Sequence, residues 1–390
     1  MNHSILFISH DSEEIRKKIS IIDPEKNGYT FYFAKNGIDA IDLIVEKDIS
    51  LLVIDLRLLQ KDSSDFLTII QNEFPKIFRI GLTVQELNTK NLTLTKVFHR
   101  FLPRPLDLNL LMKTISDLLR LNMFGLDASL VGKINGLGLI PVLPDIYVKL
   151  TKEINSPVIS MNRIADIISV DPLMVARILH IAHSSFFNIP TGVSNLFQAI
   201  NFLGVNIIKT LVLYVKIFSL SNIAPETEML LKKVRVHSIN VARLSRAIME
   251  NEGGSREQVE DAYIAGLLHD VGKIVLLQLN DVKKSSLYYL EMENVRSTEL
   301  EKDRFGVTHV NVGAYILRLW DFPDNIIDAI ASHHNPVLVY NEIISINEAV
   351  FIANIFCNHF DELTDALAKT YGQEKFNRLK GLMADHRDFS

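Results

Sequence analysis

Short apolar runs alternate with helical patterns over roughly the first 120 residues. The runs SILFIS, YTFYFA, SLLVID, FRIGLT and HRFLP are rich in β-branched or aromatic residues, and amphipathic segments begin near Ser12, Gly37, Ser63 and Leu106. Strands that alternate with helices are typical of a parallel sheet covered by helices on both faces. The pattern therefore predicts an α/β domain with a doubly wound, five-stranded parallel sheet.

From residue 123 onward, apolar residues recur at three-to-four spacing and strand patterns largely stop. Proline and glycine stand mainly at the joints between stretches such as MNRIADIISV, VSNLFQAINFLG and VNIIKTLVLYVKIFSL. This periodicity predicts an all-α domain. We expect three parts: an α/β domain over residues 1–122, a helical domain over 123–340, and helices over 341–390 that complete the bundle.

The composition narrows the classes of partner. Lys and Arg total 41 against 46 Asp and Glu, and a net charge of −5 gives no general electrostatic reason to bind nucleic acid or an anionic membrane. The uncharged stretch from Ile178 to Ile208 contains Pro190 and several asparagines, which argues against a membrane span. Cys357 is the only cysteine, and the Met-Asn-His start lacks the features of a secretory signal. We expect a cytoplasmic protein.

Polar residues stand where the predicted strands end. Ser9, His10 and Asp11 follow the first strand, Asp55 the third, Thr83 the fourth and Arg104 the fifth. In a doubly wound sheet, functional groups collect at the carboxyl ends of the strands. A carboxylate, a hydroxyl and a cation around one crevice suit an aspartate that accepts a phosphoryl group.

Residues 3–121 resemble the receiver domain of response regulators in two-component systems. The resemblance implies that Asp55 in VIDLRLLQKDSSDFL is the phospho-acceptor, that Thr83 and Phe101 are the switch hydroxyl and aromatic, and that Arg104 replaces the family's lysine. The family's acidic pair is replaced by Ser9 and His10, with Asp11 one position late. Because Mg²⁺ prefers oxygen ligands, we expect weak magnesium binding there. Two interpretations stay open: a receiver-shaped docking module, or a slowly phosphorylated receiver.

The histidines of the second half recur at helix positions or helix ends. They are His237, His269, His309, His333 and His334. Asp270 follows His269 within AGLLHDVGKIVLL, a segment with few other polar groups that we expect to form one helix. A single histidine on an apolar face is usually a hydrogen-bonded core residue. Several imidazoles with a buried carboxylate suit a divalent ion such as Fe, Mn or Zn. Core polar groups and a metal site both remain open at this point.

The order of these residues resembles the HD superfamily of metal-dependent phosphohydrolases, and residues 130–340 resemble its HDOD relatives more specifically. The motifs are GLLHDVGK, INGLGLIPVLPDIYVKL, IISVDPLMVARILHIAHSSFF and FGVTHVNVGAYILRLWDFP. The resemblance implies metal ligation, by Fe, Mn, Zn or Mg, at His237, His269, Asp270, His309, His333 and His334, and phosphate contact by Lys273. It places Asn354 where the enzymes have a final aspartate, and the Gly-Tyr-Pro signature of cyclic-dinucleotide enzymes is absent after His334.

Two functions follow from these resemblances. The first is a non-catalytic signal-transduction protein, in which a degenerate receiver regulates an HDOD module that binds a protein partner or a nucleotide. The second is a metal-dependent phosphohydrolase that uses the histidine cluster and Lys273. A signalling protein is the expected partner, while an upstream histidine kinase and self-association are left open.

Overall fold

The chain forms two compact units, Met1–Val142 and Leu143–Ser390. The computed structural model describes residues 3–20, 28–60, 64–83, 97–126, 130–131, 133–134, 145–182, 195–217, 225–278, 297–335, 344–358 and 367–385. The domain limits expected at residues 122 and 340 stay predictions. The α/β class of the first part and the helical class of the second are confirmed.

The first unit contains a five-stranded parallel sheet. Its strands are β1 (His3–Ile8), β2 (Tyr29–Ala34), β3 (Ile49–Asp55), β4 (Phe78–Thr83) and β5 (Arg100–Pro103), in the spatial order β2-β1-β3-β4-β5. In the register, Ile5 of β1 pairs with Phe31 of β2 and with Leu51 of β3. Because the strand order reverses between β1 and β3, the carboxyl ends of these two strands border a crevice.

Helices connect or follow these strands. They are α1 (Ser12–Ile19), α2 (Gly37–Glu46), α3 (Ser64–Glu73) and α4 (Leu108–Leu119), with 3₁₀ turns at Leu56–Gln60 and Arg120–Phe124. The connection between β4 and β5 lies mostly outside the described residues. Ile5–Ile8 and Leu51–Ile54 are almost fully buried, as expected for central strands covered on both faces.

The second unit is helical in its described part. Its helices are α5 (Asp145–Ile154), α6 (Met161–Ser169), α7 (Pro172–Ala182), α8 (Leu196–Leu203), α9 (Val205–Ile217), α10 (Pro225–Asn251), α11 (Arg256–Leu268), α12 (Val271–Gln278), α13 (Ser297–Phe305), α14 (His309–Leu319), α15 (Asp324–Ser332), α16 (Ile346–Cys357) and α17 (Gln373–Asp385). No single helix among the described residues has the length and apolarity to cross a membrane; α8 and α9 pass that test only as a pair, bent by 119°.

Side-chain caps define the starts of the helices around the later site. Ser255 and Gln258 form a capping box on α11, and Ser345 and Glu348 form one on α16. Thr308 accepts from the Asn311 amide and begins α14, so that His309 is its first residue. Each cap satisfies amides that lack an intrahelical partner.

One helix expected from the sequence is divided in two. The segment AGLLHDVGKIVLL is not continuous, because α11 ends at Leu268 and α12 begins at Val271. His269 and Asp270 occupy the break, where the His269 ring contacts the carbonyl of Gly266 and the Lys273 amide donates to the carbonyl of Asp270. The break turns both side chains toward neighbouring helices.

Candidate functional site

The predicted histidines and Asp270 converge inside the helical unit, mostly from helix ends. His237 lies within α10, His269 and Asp270 lie between α11 and α12, His309 begins α14, His333 and His334 follow α15, and Asn354 lies on α16. His269, His309 and His333 have no exposed surface, His237 is 7% exposed, and His334 is partly exposed. The structure therefore gathers residues separated by up to 117 positions in the chain into one buried cluster.

Two groups of ligand atoms make up this cluster, and Asp270 joins them. We call His309, His333, His334 and Asp270 Oδ1 the His309 half, and His237, His269, Asp270 Oδ2 and Asn354 the His237 half. In the His309 half, the His309 Nε2 atom lies 3.2 Å from His333 Nε2, 3.1 Å from His334 Nε2 and 3.3 Å from Asp270 Oδ1.

The His237 half has a similar spacing. His237 Nε2 lies 3.2 Å from His269 Nε2 and 3.0 Å from Asn354 Oδ1. Asp270 Oδ2 lies 3.4 Å from His269 Nε2 and 4.0 Å from His237 Nε2. Lys273 is 2% exposed, and its Nζ donates to the same Oδ2 over 2.9 Å.

The outer partners of the imidazoles fix which nitrogen bears the proton. His269 Nδ1 lies 2.8 Å from the Gly266 carbonyl, and His333 Nδ1 lies 2.7 Å from the Ile330 carbonyl. A carbonyl only accepts, so each Nδ1 donates and each neutral ring presents a lone pair at Nε2. His309 Nδ1 lies 2.7 Å from the Glu301 carboxylate, which has the same effect.

These assignments leave acceptor atoms facing one another. The Nε2 atoms of His309 and His333 both present lone pairs, so their 3.2 Å approach is not a hydrogen bond. Ligands on a metal with bonds of about 2.1 Å lie roughly 3.0–3.4 Å apart, which matches the spacing here. A cation between these atoms would replace repulsion with coordination.

Burial and neighbouring charges hold three of the imidazoles and Asp270 in the protonation state that metals require. Burial, and then the neighbouring His269, lowers the pKa of His237 to about 3. Burial and nearby imidazoles hold the pKa values of His333 and His334 well below the usual range. Burial alone would raise the pKa of Asp270, but His269 and Lys273 outweigh it and the pKa lies well below its usual value. His237, His333 and His334 are therefore neutral and Asp270 is ionised, which are the forms that bind metal.

Glu301 is a partner of this cluster that the sequence did not reveal. It lies on α13 with no exposed surface, accepts from the His309 amide over 2.7 Å, and contacts His309 Nδ1. A carboxylate behind a ligating histidine orients the ring and raises its basicity. In the sequence, Glu301 is one acid in the charged segment ELEKDRF, and only its burial distinguishes it.

In the first unit, Asp55 is buried at the carboxyl end of β3 among cations. Arg57 contacts both carboxylate oxygens through Nε at 3.1 Å and also pairs with Asp11. Arg104 donates to Asp55 Oδ2 over 2.5 Å, and the Ser9 hydroxyl donates to the same oxygen over 3.0 Å. Burial would raise the pKa of Asp55, but these donors, led by Arg57, lower it below the usual value.

The remaining residues predicted for this crevice lie around it or nearby. His10 is exposed, and Asp11 contacts Arg57 and lies 3.7 Å from Arg104. Thr83 ends β4, and its carbonyl accepts from the Arg104 amide over 2.8 Å. Phe101 packs against Phe98, with 5.5 Å between ring centroids. Arg57 was missed by the sequence reasoning, although a basic residue two positions after Asp55 was a usable signal.

The helical part of the chain is similar to a known protein family and to an uncharacterized bacterial protein. A family model described as HDOD domain matches residues 140–336. An uncharacterized protein of Treponema pallidum (strain Nichols) is 23% identical over 197 residues, which are 50% of this chain and 38% of that protein. The chain thus spans well under half of that relative's length.

Two solved structures are also similar. An HDOD domain protein with unknown function from Geobacter sulfurreducens shares 23% identity with a TM-score of 0.47, over 68% of this chain and 89% of that one. A protein from Shewanella amazonensis SB2B, provisionally described as a metal-dependent phosphohydrolase, shares 19% identity with a TM-score of 0.48, over 70% of this chain and 100% of that one. Because the family model matches half of the chain, the protein belongs to the HDOD domain family.

Proposed function

We propose that this protein is a signal-transduction protein whose HDOD module binds a divalent transition metal as a regulatory centre and does not hydrolyse phosphoesters. The observation that supports this most directly is the enclosed arrangement of imidazole lone pairs around Asp270. Among the described residues, Asp270 Oδ1 has no hydrogen-bond partner in this arrangement, and a divalent cation would satisfy it.

The donor set fits a transition metal better than magnesium. Nitrogen ligands dominate the cluster, and imidazole suits Zn, Fe, Mn and related ions, whereas Mg²⁺ prefers an oxygen shell. The residues that would hold the metal are His309, His333 and His334 with Asp270, and His237 and His269 on the other side. When bound, the ion would supply positive charge among side chains that come from different helices of the bundle.

Three features support a regulatory over a hydrolytic centre. His269, His309 and His333 have no exposed surface, which leaves little access for a phosphoester. Lys273 is bonded to Asp270 and 2% exposed, so its ammonium is not presented to a substrate. Asn354 brings no negative charge to the His237 half, which weakens the field that a hydrolytic metal needs.

For the first unit, we propose a receiver-like module that acts through its surface on a signalling partner. The support is the state of Asp55, whose oxygens are bonded to Arg57, Arg104 and Ser9. Two aspartates, Asp11 and Asp55, face two arginines, so this crevice is charge-balanced without a bound metal. Such a module is suited to docking more than to rapid phosphotransfer.

Metal analysis combined with a hydrolysis assay tests the proposal. The full chain, purified without chelator, is analysed for metal, stripped, and reloaded with Zn²⁺, Mn²⁺ or anaerobic Fe²⁺. We expect metal to bind and to raise the thermal midpoint, since a ligand at 100 times its Kd stabilises by about 2.7 kcal/mol. We expect no turnover of bis(p-nitrophenyl) phosphate. If the chain binds none of the three ions, the proposed metal centre is wrong.

A phosphohydrolase is the second candidate, and the observation in its favour is Lys273 beside five histidines and Asp270. Turnover with Mn²⁺ or Fe²⁺ that is lost in His269→Ala would establish it. The matched control is Arg163→Ala at an exposed side chain, which should leave any turnover unchanged.

A further inference from the structure

The two oxygens of Asp270 have different surroundings. Oδ2 accepts the Lys273 ammonium over 2.9 Å. Oδ1 is buried, has no hydrogen-bond partner in the described part of the chain, and faces His309 Nε2 at 3.3 Å and His333 Nε2 at 3.8 Å. A buried carboxylate oxygen without a donor is energetically costly. The imidazole nitrogens that face Oδ1 present lone pairs, so they do not donate to it.

The His309 half therefore combines three imidazoles with an unpaired carboxylate oxygen. Glu301 adds a second buried negative charge directly behind His309, at 2.7 Å from Nδ1. A divalent cation in this half would meet three nitrogens, one oxygen and the field of two carboxylates. Such a set is complete for a four-coordinate transition metal.

The His237 half offers much less to a cation. Its only carboxylate oxygen is already bonded to the Lys273 ammonium. Its fourth group is the Asn354 amide, whose Oδ1 also accepts from the Asn358 side chain over 3.0 Å. A divalent ion there would approach a positive charge and two imidazoles, with no unshared negative charge to hold it.

We propose that the protein binds one divalent transition metal per chain, in the His309 half, and that the Lys273 ammonium takes the place of a second cation. The inference rests on the proposed metal centre and specifies its stoichiometry and location. Lys273 acts here as an internal counter-ion of Asp270. Its role is to exclude a second metal, not to contact a substrate.

Cobalt titration of the chelator-stripped full chain tests the stoichiometry. Co²⁺ reports its ligands through visible absorption, and calorimetry gives the number of equivalents. We expect one tight equivalent, with any second equivalent far weaker. Two equivalents of similar affinity would overturn the inference while leaving the metal centre intact, whereas no binding would overturn the metal centre itself.

Two matched substitutions test the location. His334→Ala should weaken the tight equivalent by more than the roughly 10–100-fold that loss of an outer partner produces, because His334 supplies a direct ligand. His237→Ala should leave that equivalent and its absorption spectrum in place. The opposite pattern would locate the metal in the His237 half and contradict the inference. Circular dichroism is the control that tests whether both variants fold.

A third substitution tests the role of Lys273. Lys273→Met keeps the length of the side chain and removes the ammonium, so a second equivalent of Co²⁺ should appear. If Lys273→Met still binds one equivalent with unchanged affinity, the ammonium does not exclude a second ion. The spectrum of the first equivalent should persist, because Lys273 lies on the Oδ2 side of Asp270.

Discussion

At the scale of single residues, Asp270 and Asp55 are both buried carboxylates, yet their surroundings differ in kind. Asp55 has a donor at each oxygen, including the backbone amide of Arg57 at 3.0 Å. Asp270 has a donor at Oδ2 and none at Oδ1 among the described residues. The protein itself therefore satisfies both oxygens of Asp55, whereas Asp270 Oδ1 lacks a donor in the described part of the chain.

Asn354→Asp should strengthen metal binding in the His237 half. The new carboxylate would lie near His237, where Asn354 Oδ1 is now 3.0 Å from Nε2, and would restore a negative charge to that half. We expect a second metal equivalent whose affinity rises by about tenfold or more, since even outer partners change metal affinity 10–100-fold. Calorimetry measures it, and Asn251→Asp at an exposed asparagine is the control. Unchanged affinity would show that Asn354 is not at the site.

Asp55 should incorporate phosphate from acetyl phosphate slowly in the presence of Mg²⁺. Arg57 and Arg104 hold both of its oxygens, and Ser9 and His10 stand where magnesium ligands are expected. Mass spectrometry of the intact chain over time measures the labelling. Rapid labelling of every chain would contradict the proposal that the module acts by docking.

Removal of Arg57 should open the same crevice to a cation. Arg57→Ala leaves Asp11 with Arg104 alone at 3.7 Å and leaves Asp55 with fewer donors, so Mn²⁺ binding in this unit should become measurable by calorimetry. His334→Ala is included as a background substitution to remove binding in the helical unit. If Arg57→Ala gains no binding over this background, Arg57 is not the group that neutralises Asp55.

At the scale of elements, the cluster depends on how closely α12 approaches α14. A Cβ atom on Gly272 would fall on the carbonyl oxygen of His309 and within 2.8 Å of the Gly313 amide nitrogen. The glycine thus lets the two helices meet backbone to backbone. This contact places Asp270, just before α12, beside His309, the first residue of α14.

Gly272→Ala should destabilise the helical unit and weaken metal binding together. The added methyl group would force α14 away, and overpacking of this kind usually costs about 1–3 kcal/mol. Gly313→Ala is the matched control, because its Cβ would meet only ordinary contacts at 3.4–3.5 Å. Urea unfolding followed by Trp320 fluorescence measures stability, and Co²⁺ titration measures binding. Equal behaviour of the two variants would show that the close approach is not needed.

At the scale of the whole molecule, the two compact units have different stabilising groups and can be followed by different signals. The single tryptophan, Trp320, lies in the helical unit. In the first unit, His99 is partly buried beside β4 and its Nδ1 accepts from the Arg79 amide over 3.0 Å. Burial, and then Arg79 and Arg100, hold the pKa of His99 well below its usual value.

Acid should therefore weaken the first unit through His99. In the unfolded chain His99 takes up a proton with a pKa of about 6.5, whereas the folded unit keeps His99 neutral. The contribution of His99 to stability is therefore fully present above pH 6.5, and it is lost as the pH falls toward the lower pKa of the folded state. Between pH 7.5 and 5.0 the free energy of unfolding of the first unit should therefore fall, most steeply below pH 6.5. Urea unfolding of the full chain followed by far-ultraviolet circular dichroism measures it.

Two variants isolate this effect. His99→Asn keeps an acceptor for the Arg79 amide and should remove most of the loss in acid, while His10→Asn at an exposed position should retain it. The Trp320 signal should be the same in both variants at each pH. A loss in His99→Asn equal to that of the wild type would assign the acid sensitivity to other groups.

The alternation of strand and helix patterns and the later three-to-four periodicity were enough to predict the α/β and all-α parts. Both patterns reflect backbone geometry within a few residues, so they can be read locally. The shared site was expected from the types of the histidines and Asp270 and from the resemblance of their order in the chain to the HD superfamily. Local pattern also misled: the continuous helix expected through His269 and Asp270 is broken there.

Packing decided the rest. Which oxygen of Asp270 meets Lys273, which buried acid stands behind His309, and which arginines hold Asp55 depend on contacts between side chains far apart in sequence or on their orientation. Glu301 and Arg57 look like ordinary surface charges in the sequence, because burial and pairing arise only when helices and strands meet. The sequence thus determines which residue types are available to each site. The tertiary structure determines how their charges are paired.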